Sequence, residues 1–178
     1  SEGAERNVEP PNEEKRLAVK SAWNILHHCR RQPGTRPDGS LDAAGCVRFI
    51  EEARELCRQR DRSTLGDQTL GQILAHAPIG DDRVWPGLPA RDILNRPELE
   101  QMRVGFQTGA FNKRGVTSRA PDEGGAQERT LAQYYRQNAD ALAATHPYLA
   151  ASLEELAQQY EYHAMREDNE AGLRRERY

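Results

Sequence analysis

The chain has 178 residues and a net charge of −3, from 25 Lys and Arg against 28 Asp and Glu, with 37% hydrophobic and 6% aromatic residues. That length fits one domain or two small helical units sharing an interface, and the acid excess argues against a dedicated nucleic-acid-binding domain, which needs surplus Lys and Arg. No apolar run approaches the ~20 residues that a membrane span requires, and no apolar core follows a basic start as in a signal peptide.

Residues 1–12 are polar and acidic and carry Pro10-Pro11, so they read as a disordered tail or linker. The opening SEGAERNVEPPNEEK lacks an initiator Met, and we expect a segment of a longer protein with a short foreign remnant in front. A helix is expected from Asn12, where Glu13 and Glu14 suit the positive end of its dipole. Leu17, Ala18, Ala22, Ile25, Leu26 and Cys29 give it an apolar stripe at three- and four-residue spacing, bordered by Trp23. RRQPGTRPDGS (30–40) stops it with two prolines and two glycines.

Ser40 is the expected N-cap of the next helix, with Leu41, Cys46, Phe49, Ile50, Ala53 and Cys57 on its buried face. A shorter helix is predicted from Asp67, with Leu70, Ile73, Leu74 and Ala77 recurring at the helical period. PIGDDRVWPGLP (78–89) reads as a loop anchored by Trp85 and Leu88, and Pro89 opens a short helix containing Ile93 and Leu94. Pro97 is placed at the first position of a further helix, backed by Glu98 and Glu100. Its inward face is Leu99, Met102, Phe106 and Ala110, and Gly105 and Gly109 thin one side enough for another backbone to approach.

Leu131, Tyr134, Tyr135, Asn138 and Leu142 define one long helix, and Leu149, Leu153, Leu156, Tyr160 and Ala164 another. His146 and Pro147 separate them, and so short a connection makes antiparallel neighbours of about twenty residues per arm. Ala, Leu, Glu, Gln and Arg dominate the chain, residues that lose little on entering a helix. The fold class is therefore all-α: a bundle of six to seven helices ending in a long antiparallel αα-hairpin. It forms one domain over 13–178, with 13–96 and 97–178 as the alternative division.

The three cysteines, Cys29, Cys46 and Cys57, are expected within helices as reduced thiols of a cytoplasmic protein, since their number and spacing supply neither a disulfide framework nor a zinc pattern. His27, His28 and Cys29 are adjacent and point to different helix faces, while His76, His146 and His163 are isolated, so no metal or cofactor is expected. Only Lys15, Lys20 and Lys113 are lysine, and so Arg-rich a set reflects coding bias rather than selected bidentate contacts.

One stretch serves neither a helix interior nor plain solubility. Residues 105–129, GFQTGAFNKRGVTSRAPDEGGAQER, place Lys113, Arg114 and Arg119 around Gly115, Thr117 and Ser118 and deliver Gly124 and Gly125 to a helix start. Three cations with two hydroxyls can hold a phosphate, a carboxylate or a nucleic-acid backbone, and the glycine amides add partial positive charge. Against this, Asp122 and Glu123 stand ready to satisfy those amides or to pair with Arg119 or Arg129, which makes a braced structural loop. A Walker-type loop is excluded by residue order and by the missing strand. No Ser-His-Asp set or G-x-S-x-G is present, so an enzyme would need a site assembled only in the tertiary structure.

GQILAHAP (71–78), WPGLPARDIL (85–94), GAFNKRGVTSRAPDEGGAQER (109–129) and YRQNADALAATHPYLAASLEELAQQYEYHAMRED (135–168) resemble a helical region at the C-terminal end of large bacterial multidomain proteins. The similarity covers most of 20–175, and that region has no assigned activity. The resemblance implies an accessory module beside other domains, and it carries over no catalytic residue.

The expected function is a non-catalytic interaction or substrate-recognition module of a larger bacterial protein, contacting a protein partner or other domains of its own polypeptide through loop 112–129. Lys113, Arg114, Thr117, Ser118, Arg119, Gly124, Gly125 and Arg129 would form the contact. The alternative is an anionic ligand or nucleic-acid backbone bound by the same residues. Tyr134, Tyr135, Tyr160 and Tyr162 suit a homodimer surface as well as they suit core and rim packing.

Overall fold

A computed structural model of the chain describes residues 29–114 and 124–175, with side chains through 173. Among the described residues there are six helices: α1 (Ala43–Arg58), α2 (Ser63–Leu74), α3 (Ala90–Leu94), α4 (Glu100–Asn112), α5 (Ala126–Leu142) and α6 (Pro147–Arg175). The only extended pairing among them is a single antiparallel bridge, Thr35 to Leu41. The tail 1–12 and the helix expected from Asn12, with Trp23, His27 and His28, lie outside the described residues. Cys29, read as the end of that helix, is not helical.

The first turn of α1 is capped by Asp42, whose Oδ1 accepts from the Gly45 amide at 2.7 Å. Ser40 does not cap it, because its amide and hydroxyl both donate to Asp38. Cys46 and Ile50 face the core, while Phe49, a third of a turn away, is 42% exposed. Helix α2 starts at Ser63, four residues before the expected Asp67. Asp67 is an interior helix residue: its carboxylate accepts from Arg54 of α1 at 2.8 Å and ties the two helices together.

Loop 78–89 is held from inside by Arg91. Its guanidinium donates to Asp82, to the Val84 carbonyl and to the Pro86 carbonyl. Trp85 enters the core at 4% exposure, and the peptide bonds before Pro86 and Pro89 are cis. Leu88, expected beside Trp85 as an anchor, is 55% exposed and lines an open cleft with Leu41, Ile79 and Arg91, so Trp85 and Arg91 alone tie the loop inward.

Pro97 lies in a turn ahead of α4 rather than at its first position. The segment between α3 and α4 curls around the Arg103 guanidinium, which donates to the carbonyls of Leu94, Arg96 and Pro97. Carbonyls left over at a helix end are thereby satisfied by a buried cation. Pro147 opens α6 instead of preceding it, with its missing amide at a position that needs none. The amides of Tyr148 and Leu149 donate instead to Oδ1 of Asn95, at 3.0 and 3.4 Å.

α2 and α4 meet backbone to backbone. A Cβ on Gly105 would lie 2.6 Å from the Gln68 carbonyl carbon, and one on Gly109 would lie 2.8 Å from the Gln72 Cα. Gly71 of α2 faces Met102 and Phe106 in the same way. α5 and α6 are tied together along their lengths, with Arg129 against Asp168 and Arg136 against Glu161 and Glu154. One apolar cluster unites residues from all six helices, with Trp85, Phe106, Leu142, Leu153 and Tyr160 among them.

Candidate functional site

The basic loop begins where α4 ends, so the backbone contact of α4 with α2 fixes the direction in which Lys113 and Arg114 leave the core. Lys113 is the C-cap residue of α4. Its Nζ lies 3.4 Å from the Ala75 carbonyl and 5.7 Å from the centre of the Trp85 ring, a cation–π distance. Burial lowers its pKa from the ordinary lysine value. Arg114 turns inward to Glu128 of α5 at 2.6 Å, with the arginine side chain 17% and the glutamate 1% exposed. It also lies 5.9 Å over the Tyr160 ring.

Gly124 has φ +62°, a conformation that favours glycine. Gly125 precedes α5, and its amide donates to Oδ1 of Asp168 at 2.9 Å. Asp168 also receives Arg129 at 2.6 Å. The helix start expected to offer free amides to an outside anion is thus occupied at Gly125 by a carboxylate from α6. Asp122 and Glu123, expected to play that part, lie outside the described residues, as do Gly115, Thr117, Ser118 and Arg119. Of the eight expected contact residues, five are described. Lys113 and Arg114 converge on one face; Gly124, Gly125 and Arg129 gather around Asp168.

The Arg129 bond, followed by the Gly125 amide, lowers the Asp168 pKa from 3.8 to about 2. A folded-state pKa below the unfolded one stabilises the fold above about pH 4, and that stabilisation is lost as pH falls toward about 2. Asp168→Asn keeps an acceptor for Gly125 but removes the titration. Urea midpoints for this variant are expected to vary less across that acid window than those of the parent. Equal pH slopes for the two proteins would show that the bond contributes no linkage.

Lys113 and Arg114 also line a cleft of about 440 Å³ with Ile79, Trp85, Leu131, Tyr134, Tyr135 and Tyr160. Its aromatic wall is continuous: Trp85 meets Tyr135 edge-on at 5.9 Å, Tyr135 stacks on Tyr160 at 5.6 Å, and Tyr134 meets Tyr135 at 5.2 Å. The wall is fixed by hydrogen bonds as well as by packing. The indole donates to the Ala77 carbonyl at 2.9 Å, and the Trp85 amide donates to Oδ1 of Asn138 at 2.7 Å. The Tyr160 hydroxyl is buried without a hydrogen-bond partner among the described residues, and burial raises its pKa.

No motif in the sequence announces this wall, because its rings come from one loop and two helices. The only sequence signal was a set of tyrosines in excess of what one core face needs. Tyr135 and Tyr160 turn inward, Tyr134 sits at the rim at 36% exposure, and Tyr162 is 61% exposed.

No group of three His, Cys, Asp or Glu side chains placed to hold a metal occurs among the described residues. No described helix is long and apolar enough to cross a membrane. No protein-family model, curated protein or solved structure matches the chain.

Proposed function

We propose that this chain is a non-catalytic recognition module of a larger bacterial protein: a cytoplasmic helical bundle closed by an αα-hairpin, with its contact face at the aromatic cleft and the adjoining basic loop. The carrying observation is the meeting of Lys113, and of Arg114 held by Glu128, with a fixed wall of Trp85, Tyr134, Tyr135 and Tyr160 in one concavity. Apolar walls with few placed polar groups are the usual makeup of a ligand pocket. Aromatic residues and Arg are also the side chains on which interfaces concentrate their energy. The chemistry fits an apolar or aromatic side chain carried beside an acidic group, on a protein partner or a neighbouring domain. Arg119, Thr117 and Ser118 would extend the contact along the loop.

The second reading, an anionic ligand or nucleic-acid backbone held by loop 112–129, is favoured by Lys113, which has no carboxylate at ion-pair distance among the described residues. It predicts affinity that falls steeply with salt, whereas the apolar cleft predicts a shallow dependence.

Ile79 lines the cleft at 57% exposure and lies outside the apolar core cluster. With a partner isolated on the full-length protein, Ile79→Asp is expected to weaken binding at least about ten-fold at an unchanged melting temperature. Unchanged affinity would remove the cleft from the contact face.

A further inference from the structure

Arginine in this chain is repeatedly answered by a carboxylate: Arg54 by Asp67, Arg91 by Asp82, Arg114 by Glu128, Arg129 by Asp168. One basic cluster departs from that pattern. Apart from the aromatic cleft, a cavity of about 320 Å³ is lined by Arg30, Gln72, His76, Asn112 and Lys113, with Cys29, Ile73 and Gly109 completing it. No aspartate or glutamate lines it among the described residues. It shares only Lys113 with the aromatic cleft.

Part of this positive charge has a structural explanation. Helices α2 and α4 both end here, and a helix C-terminus attracts cations. Lys113 meets that demand at the Ala75 carbonyl. Arg30 and His76 exceed it. Burial first, then Lys113 and Arg30, push the His76 pKa below its ordinary value, so the two cations disfavour a charge on His76. Gln72 and Asn112 add side-chain amides, which donate to an oxyanion without adding charge.

We propose that this cavity binds a phosphate group, free or as the ester of a small molecule, with Arg30 supplying a two-pronged donor, Lys113 a point charge, and Gln72, His76 and Asn112 the remaining hydrogen bonds. A guanidinium fork beside an ammonium matches a tetrahedral dianion better than a planar carboxylate, which one fork would saturate. The volume lies at the small end of ligand pockets and exceeds what a bare phosphate fills.

Calorimetric titration of the full chain with inorganic phosphate and, separately, with glucose 6-phosphate tests the assignment. Saturable binding is expected in the millimolar range or tighter, on the order of −4 kcal/mol. Tighter binding of the ester identifies a phosphorylated small molecule as the source, and equal binding identifies the free anion. Arg30→Gln and His76→Gln should each weaken binding, the former about ten-fold. Arg31→Gln, the same change of charge one residue along, should alter it less than about two-fold. His76 gives a local readout: a bound dianion among Arg30, Lys113 and Cys29 raises its imidazole pKa, visible in its ring resonances. The proposal fails if neither probe saturates, or if Arg30→Gln and His76→Gln bind as Arg31→Gln does. Should Arg30→Gln not fold, His76→Gln decides the outcome alone. Because neither Arg30 nor His76 touches the aromatic cleft, failure here leaves the recognition reading standing.

Discussion

Gly105→Ala is expected to destabilise the fold by about 3 kcal/mol, lowering Tm by roughly 10 °C for a chain of this size. The added methyl would meet the carbonyl group and Cα of Gln68, which are backbone atoms that no rotamer change can move aside. Gly109 repeats the contact one turn later, and Gly71 answers from the opposite helix, so the strain has nowhere to spread. Gly172 of α6 is the control, since a Cβ there meets nothing within 4 Å. Gly172→Ala should gain about 0.5 kcal/mol from the lower entropy of the unfolded chain. Thermal and urea melts of the two variants check the pair, and a Gly105→Ala protein melting within about 2 °C of the parent would sink the backbone-contact account. The effect reaches the site, because Lys113 caps α4 and lines both cavities, so any shift along the α2 seam displaces them together.

The Gly105/Gly109 spacing was legible in the sequence, and so were the helical class and the inward faces of α4 and α6, whereas in the α5 set Tyr134 sits at the rim and Leu131 is only half-buried. Each is a local periodicity that survives without knowledge of neighbours. What escaped was set by contacts distant in sequence. Asp67 has the look of a helix start, but Arg54 recruits it into the helix interior. Leu88 and Trp85 are equal candidates to fill the core until Arg91, donating to Asp82 and to the Val84 and Pro86 carbonyls, fixes the loop with Trp85 inward. The cap of α6 comes from Asn95, more than fifty residues upstream of the amides it serves. At the site, the cations were visible but their partners were not. Nothing in GGAQER announces that Asp168 will close on the Gly125 amide, or that Glu128 will be buried against Arg114.

That last pairing decides how the basic loop is to be tested. Arg114→Met is expected to cost about 3 kcal/mol at neutral pH, because it removes a short ion pair from a carboxylate that is 1% exposed. Methionine keeps an unbranched apolar stem against Tyr160, so the loss reports charge rather than packing. Glu128→Gln should cost less, since the amide oxygen still accepts from Arg114. The double variant Arg114→Met/Glu128→Gln should recover part of the single loss, giving a coupling of about 1–2 kcal/mol in a double-mutant cycle. Loss of a partner from an Arg114 variant therefore carries no weight unless its stability is matched, whereas Lys113→Gln or Ile79→Asp leaves that buried pair intact. If Arg114→Met instead melts with the parent, the pair contributes nothing to the fold, and Arg114 becomes a second cation available to whatever enters the aromatic cleft.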